Sequence, residues 1–220
     1  MNRFSLFICF LSALSGGCIT TSLPQIAIPE RTNKADFSVA FVNTSAHLNA
    51  MYTSKPGIAI LAGLGTNGFT SHGELGLGFV RPKNLLISVG LGNASYTARP
   101  LTYGGTNDVM EYWGRFSSVS IRVNKQLKQG AGIINSILFV RGTDNGDCAH
   151  NCYKFTNRPL EAIYYEPVFY VRGHRNRYRY FILSGSIKIK APEDVRERMF
   201  DFVPLHVGYG FNFPRPKQKS

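Results

Sequence analysis

Large apolar side chains recur at every second position along most of the chain. Phe37, Val39 and Phe41 alternate with Asp36, Ser38 and Ala40, and Gly73, Leu75, Leu77 and Phe79 alternate with His72, Glu74, Gly76 and Gly78. Leu85, Ile87, Val89 and Leu91 alternate with Leu86, Ser88, Gly90 and Gly92, and Val119, Ile121 and Val123 with Ser118, Ser120 and Arg122. Near the end, Leu205, Val207, Tyr209, Phe211 and Phe213 alternate with His206, Gly208, Gly210 and Asn212. A two-residue period turns successive side chains to opposite faces of a strand, so the pattern predicts β-structure throughout. Strands are predicted near 35–43, 45–53, 57–66, 71–80, 84–95, 112–125, 131–142, 161–172, 177–190 and 199–213, with the alternation weakest in the seventh and ninth. No stretch carries a capped 3.6-residue period, and 192–198 reads as one helical turn at most.

The two faces differ in an informative way. One is aliphatic and aromatic; the other is Gly, Ser, Asn and His with few lysines. A water-soluble sandwich buries its apolar face and wets a charged one, whereas small polar side chains suit the lumen of a narrow barrel. Several strands reach the 9–11 residues that cross a bilayer, and strands in hydrocarbon must close on themselves so that every backbone group is paired. The connections after even-numbered strands are short, at 53–56, 81–83, 126–130 and 173–176, while the two long ones, 96–111 and 143–160, follow odd strands. Short turns on one rim and long loops on the other are the habit of barrels in outer membranes. The expected fold is therefore all-β, a closed antiparallel up-and-down transmembrane β-barrel of about ten strands over residues 35–213, with eight strands also compatible.

The start of the chain adds a compartment. Arg3, the apolar run from Phe4 to Leu14, and the small residues Ser15, Gly16 and Gly17 read as an export signal over residues 1–17. Leu14-Ser15-Gly16-Gly17-Cys18 resembles the lipobox of bacterial lipoproteins, although the bulky aliphatic residue stands four before the cysteine. The resemblance implies an acyl anchor, including palmitate, on Cys18; a plain secretory cut is the alternative, since Ser15 and Gly17 meet a small-x-small rule. Residues 18–34, with Pro24 and Pro29, read as a tether, and 214–220 as a basic tail.

With Cys9 in the leader and Cys18 acylated, Cys148 and Cys152 remain, an even pair suited to a disulfide in an oxidising compartment. A metal site from Cys148, His150 and Cys152 lacks a fourth ligand and a second cysteine half-site.

Region 35–213 resembles the small bacterial outer-membrane β-barrel proteins as a pattern, without a diagnostic motif. Gly208 to Phe213 looks like their terminal aromatic strand, but Pro214 to Ser220 follow it. Tyr103, Tyr112, Trp113, Tyr164, Tyr165, Tyr178 and Tyr180 are candidates for interfacial girdles. Such barrels are mostly non-catalytic, so the resemblance implies a role in envelope structure or surface recognition through 96–111 and 143–160. The rival readings are a soluble lipoprotein barrel or sandwich holding a small apolar ligand, and a lipid-modifying barrel enzyme.

Candidate chemistry is sparse. Lys and Arg outnumber Asp and Glu by 25 to 13, giving a formal charge of +12. The densest run holds Arg172, Arg175, Arg177 and Arg179, which in an exported protein suits lipid phosphates or lipopolysaccharide better than nucleic acid. Gly63-Leu-Gly-Thr-Asn-Gly68 matches the dinucleotide fingerprint but leads into another strand and not a helix, so no nucleotide cofactor is expected. Ser71, His72 and Glu74, with Asp108 further on, hold the residue types of a nucleophile, base and acid, yet adjacent strand residues face opposite ways. His47 and His206 should share the lumen with His72, where polar groups satisfying one another is the plainer expectation. No metal and no catalytic residue is assigned.

Overall fold

The computed structural model describes residues 34–42, 45–54, 57–66, 70–81, 85–98, 110–127, 130–148, 155–172, 179–185, 187–190 and 205–213. They form β1 (Lys34–Val42), β2 (Ser45–Thr53), β3 (Ile58–Thr66), β4 (Thr70–Arg81), β5 (Leu85–Ala98), β6 (Met110–Gln126), β7 (Ala131–Cys148), β8 (Phe155–Arg172), β9 (Arg179–Gly185), β10 (Ile187–Lys190) and β11 (Leu205–Phe213). β1 to β8 pair in sequence order, all antiparallel, and β11 joins β9 to β1. β9 and β10 lie along β8 in one register, Val168 opposite Ser184 and Tyr165 opposite Ile187, so they are one interrupted stave. The result is a closed barrel of ten staves, its ladder closing through β8, β9, β11 and β1, while β10 pairs with β8 alone.

The register fixes the barrel's shape. From Ala40, partners run one way through His47, Gly65, His72, Ala94, Phe116 and Gly142 to Leu160, and the other way through Gly210 and Tyr180 to Arg172. The two routes meet on β8 about 12 residues apart, a stagger that tilts the staves by roughly 40°.

Burial follows the two-residue period, and it is inverted relative to a water-soluble fold. Outside stand Leu75, Leu91, Leu77 and Leu64, each more than 60% exposed, within a continuous belt that includes Phe37, Ile60, Val89, Ile121, Phe139, Phe169 and Phe211. Inside, His47, Asn49, Glu74, Ser88, Ser120, Arg122, Asn124, Ser136, Glu166 and Ser184 are buried. Apolar clusters fill the rest of the lumen, one of Met51, Leu61, Val80 and Leu86 toward the short turns, another of Ile134, Val168, Tyr170, Tyr180 and Ile182, and a third of Tyr96, Phe116, Val140 and Tyr164 toward the far end of β5 to β8.

Glycines on the inner face make room for that filling. Tyr170 stands opposite Gly132, Tyr180 opposite Gly210, and Tyr96 opposite Gly114, and in each pair a Cβ on the glycine would run into the tyrosine ring. Gly57 serves differently: its φ of +92° closes the β2–β3 turn, where Val80 N donates to its carbonyl at 2.6 Å.

Several expectations are corrected. Connection 143–160 shrinks to 149–154 and 96–111 to 99–109, because β7 and β8 stay paired through Thr143–Pro159 and Asp144–Arg158. The polar stretch from Asp144 is strand because its side chains close local bonds. Asn145 Nδ2 donates to Trp113 O at 3.2 Å, and Asn157 N donates to Asn145 Oδ1 at 2.9 Å. Asn157 takes a φ of 53°, close to a register shift in the β7–β8 pairing between Asp144 and Gly146. The last strand starts at Leu205, not near 199. Tyr164 and Tyr180 face the lumen at 2% and 1% exposure and belong to no girdle, whereas Trp113 faces outward. The connections after even strands run 54–57, 82–84, 127–130 and 173–178, the last longer than the expected 173–176 and equal in length to 149–154 on the other rim, so only 99–109 keeps the expected contrast.

Candidate functional site

The lumen's polar layer is built from alternate residues of β4, β6, β7 and β8. Its centre is a buried ion pair: Arg122 Nη1 donates to Glu74 Oε1 and Nη2 to Oε2, both at 2.6 Å, and Ser120 Oγ donates to Oε1 at 2.5 Å. The planar guanidinium fork matches the carboxylate, so both partners are oriented and each offsets the other's desolvation. Gly90 leaves the space in which that carboxylate lies, since a Cβ there would collide with Glu74 Oε1. A side-chain bridge from β4 to β6 therefore passes over Gly90 of β5 along the inner wall, and Tyr170 adds a hydroxyl 3.3 Å from Asn124 Oδ1.

Above this layer, His47 and His72 meet over Gly65, which pairs with both. Their ring centroids are 5.4 Å apart at 53°, and neither ring nitrogen of His72 has a hydrogen-bond partner. Further along β5 and β7, Tyr96 Oη donates to Asp144 Oδ1 at 2.5 Å. No three potential metal ligands converge among the described residues.

The nucleophile-like residues are not assembled. Ser71 is exposed on the outer wall and its Oγ lies 3.5 Å from Thr66 Oγ1, while His72 points inward. Glu74 spends both carboxylate oxygens on Arg122. Asp108 lies outside the described residues.

Of the basic run, Arg179 stands exposed opposite Phe211 at the short-turn rim; Arg172 ends β8, and Arg175 and Arg177 lie outside the described residues. Exposed Arg81 and Lys125 share that rim, each beside Leu85. Attention to one dense run missed them; the parity of strand ends would have collected all of these cations on one rim. Cys148 ends β7 opposite Met110, whereas Cys152, His150 and Cys18 lie outside the described residues. His206 sits on β11 opposite Ser184.

One polar pair had no counterpart in the sequence reading. Tyr165 Oη donates to Asn135 Oδ1 at 2.7 Å on the outer wall, within the apolar belt.

No protein-family model matches this chain, and no curated protein matches it.

Proposed function

We propose that the chain is an outer-membrane β-barrel lipoprotein, anchored at Cys18, with a non-catalytic role in envelope structure or surface recognition through the connections 99–109 and 149–154. The observation that carries this reading is the inverted burial: large aliphatic or aromatic side chains face outward on every stave while a bidentate ion pair and a set of serines occupy the lumen. In water such a belt would be a very large exposed apolar patch; in hydrocarbon it is the favoured surface, and a ladder that closes on itself meets the need of strands there to pair their backbone. The same inversion counts against a soluble barrel with an apolar ligand cavity, because the polar layer stands where that ligand would lie. Cations at the short-turn rim, Arg81, Lys125 and Arg179, suit the anionic headgroups of outer-membrane lipids. Side chains filling the lumen speak for a closed barrel and not an open pore.

Two measurements test the reading. Leu75→Arg, at a 68% exposed position in the belt, is expected to lower unfolding stability by about 2–4 kcal/mol in bilayers, with Ser95→Arg beyond the belt close to neutral. A belt facing water would tolerate both within about 0.5 kcal/mol. Separately, a Cys18→Ala chain given an efficient secretory leader should stay in the outer membrane and migrate differently on gels with and without boiling. A soluble periplasmic product with unchanged mobility would overturn the proposal.

A further inference from the structure

Asn135 is a polar side chain on the apolar outer wall. It is exposed on the outer wall of β7, with Ile133 and Ile137 two residues to either side on the same strand, and Val123 and Pro167 as its cross-strand neighbours on β6 and β8. Ile137 and Phe139 above it are 40% and 42% exposed, and Phe169 on β8 is 48% exposed, so the amide lies within the apolar belt, with exposed Lys125 at the diagonal position on β6. Tyr165 satisfies one lone pair of Oδ1 at 2.7 Å. The amide group keeps two N–H donors and a second acceptor site beyond that bond. Acyl chains offer neither donors nor acceptors, and polar groups left unmet in hydrocarbon are costly enough that they mark contact sites.

From this we infer that the β7–β8 wall is an interface for a second copy of this chain, with the two Asn135 amides paired across a two-fold axis. The inference rests on the transmembrane reading above. The argument for a second copy over any other occupant is complementarity at a fixed height. Two copies inserted in the same direction can be related only by an axis along the membrane normal, and that axis brings each residue to the level of its own duplicate. A primary amide is its own complement, donating one N–H and accepting one, so the pair exchanges two hydrogen bonds in an isologous contact. A different protein would need a donor and an acceptor at the same depth, whereas the duplicate always has them. Ile133, Ile137, Val123 and Phe169 then pack as the apolar surround. Tyr165 orients the amide by holding Oδ1, which makes it a positioning residue.

The test uses the full chain in phosphatidylcholine vesicles, with flotation to score insertion and energy transfer between donor- and acceptor-labelled copies to score association. Wild type should float and associate. Asn135→Leu should float equally and associate about tenfold more weakly, the scale expected for interfacial polar contacts in membranes. Asn135→Gln, which keeps the amide, should recover part of the association, and Val89→Asn, on the belt of the distant β5, should not create it. A chain that floats but stays monomeric, or an Asn135→Leu chain that associates as wild type, overturns this inference and leaves the transmembrane reading intact. A chain that does not float overturns both.

Discussion

An Arg122→Met chain should lose about 3–5 kcal/mol of unfolding stability, measured as the shift in denaturant midpoint at constant slope. The reason is the partner left behind. Glu74 is 8% exposed, and both of its oxygens take hydrogen bonds from this guanidinium; without it a carboxylate remains in the lumen with only Ser120 to answer it. Removing both charges together separates that penalty from the intrinsic worth of the pair. Glu74→Leu combined with Arg122→Met should recover most of the loss, because an apolar pair of similar volume asks for no compensation. A single variant within about 1 kcal/mol of wild type would mean that water reaches this level of the lumen and solvates the carboxylate.

Gly132→Val is expected to be more severe and to act on assembly. The ring of Tyr170 lies directly over Gly132, and a Cβ there overlaps its Cζ and Oη. Tyr170 is 1% exposed and its hydroxyl is tied to Asn124, so it has nowhere to move. Overpacking of this kind costs about 3 kcal/mol or more at the upper end of its range, and here it also wedges β7 away from β8. The readout is the fraction of chain that reaches a protease-resistant form with heat-dependent gel mobility. Wild type should convert nearly fully and Gly132→Val hardly at all, while adding Tyr170→Ala to the valine variant should restore conversion. If Gly132→Val assembles as well as wild type, the tyrosine is not wedged against the wall as described.

What could be read from the sequence was phase. The alternation placed Phe37, Leu75, Leu91 and Val123 on one face and Glu74, Ser120 and Arg122 on the other, and the parity of the connections put short turns on one rim. Chemistry type alone misled where phase was ignored. Tyr164 shares parity with Ala162 and Glu166, and Tyr180 with Ile182 and Ser184, so both were lumen residues on the same rule that sorted the others. Their bulk is admitted by neighbours the sequence does not display as neighbours, such as Gly210 opposite Tyr180. The Arg122–Glu74 pair was out of reach for the same reason: the partners are 48 positions apart and are joined only by the stagger between β4, β5 and β6. Asn135 lay in a weakly alternating strand, and its meaning depends on what surrounds it across β6 and β8, not on what precedes it in the chain. The end of β7 read as loop because Asp, Asn and Gly are turn formers in isolation, while here Tyr96, Trp113 and Asn157 supply bonds that hold it extended.

The wall is of uneven height. β7 continues nine residues beyond Phe139, the last large apolar side chain on its outer face, whereas β2 begins only three residues from Leu48. At about 3.3 Å per residue and a tilt near 40°, the β7 side reaches further beyond the belt than the β2 side by roughly 15 Å. The barrel therefore has a front and a back. On the high side β5 to β8 carry their pairing past the belt, with Tyr96, Phe116 and Asp144 buried behind them, while β1 to β4 end close to the belt's edge. An antibody tag placed between β7 and β8 would stand clear of the membrane on the high side, while one between β1 and β2 would sit close against it.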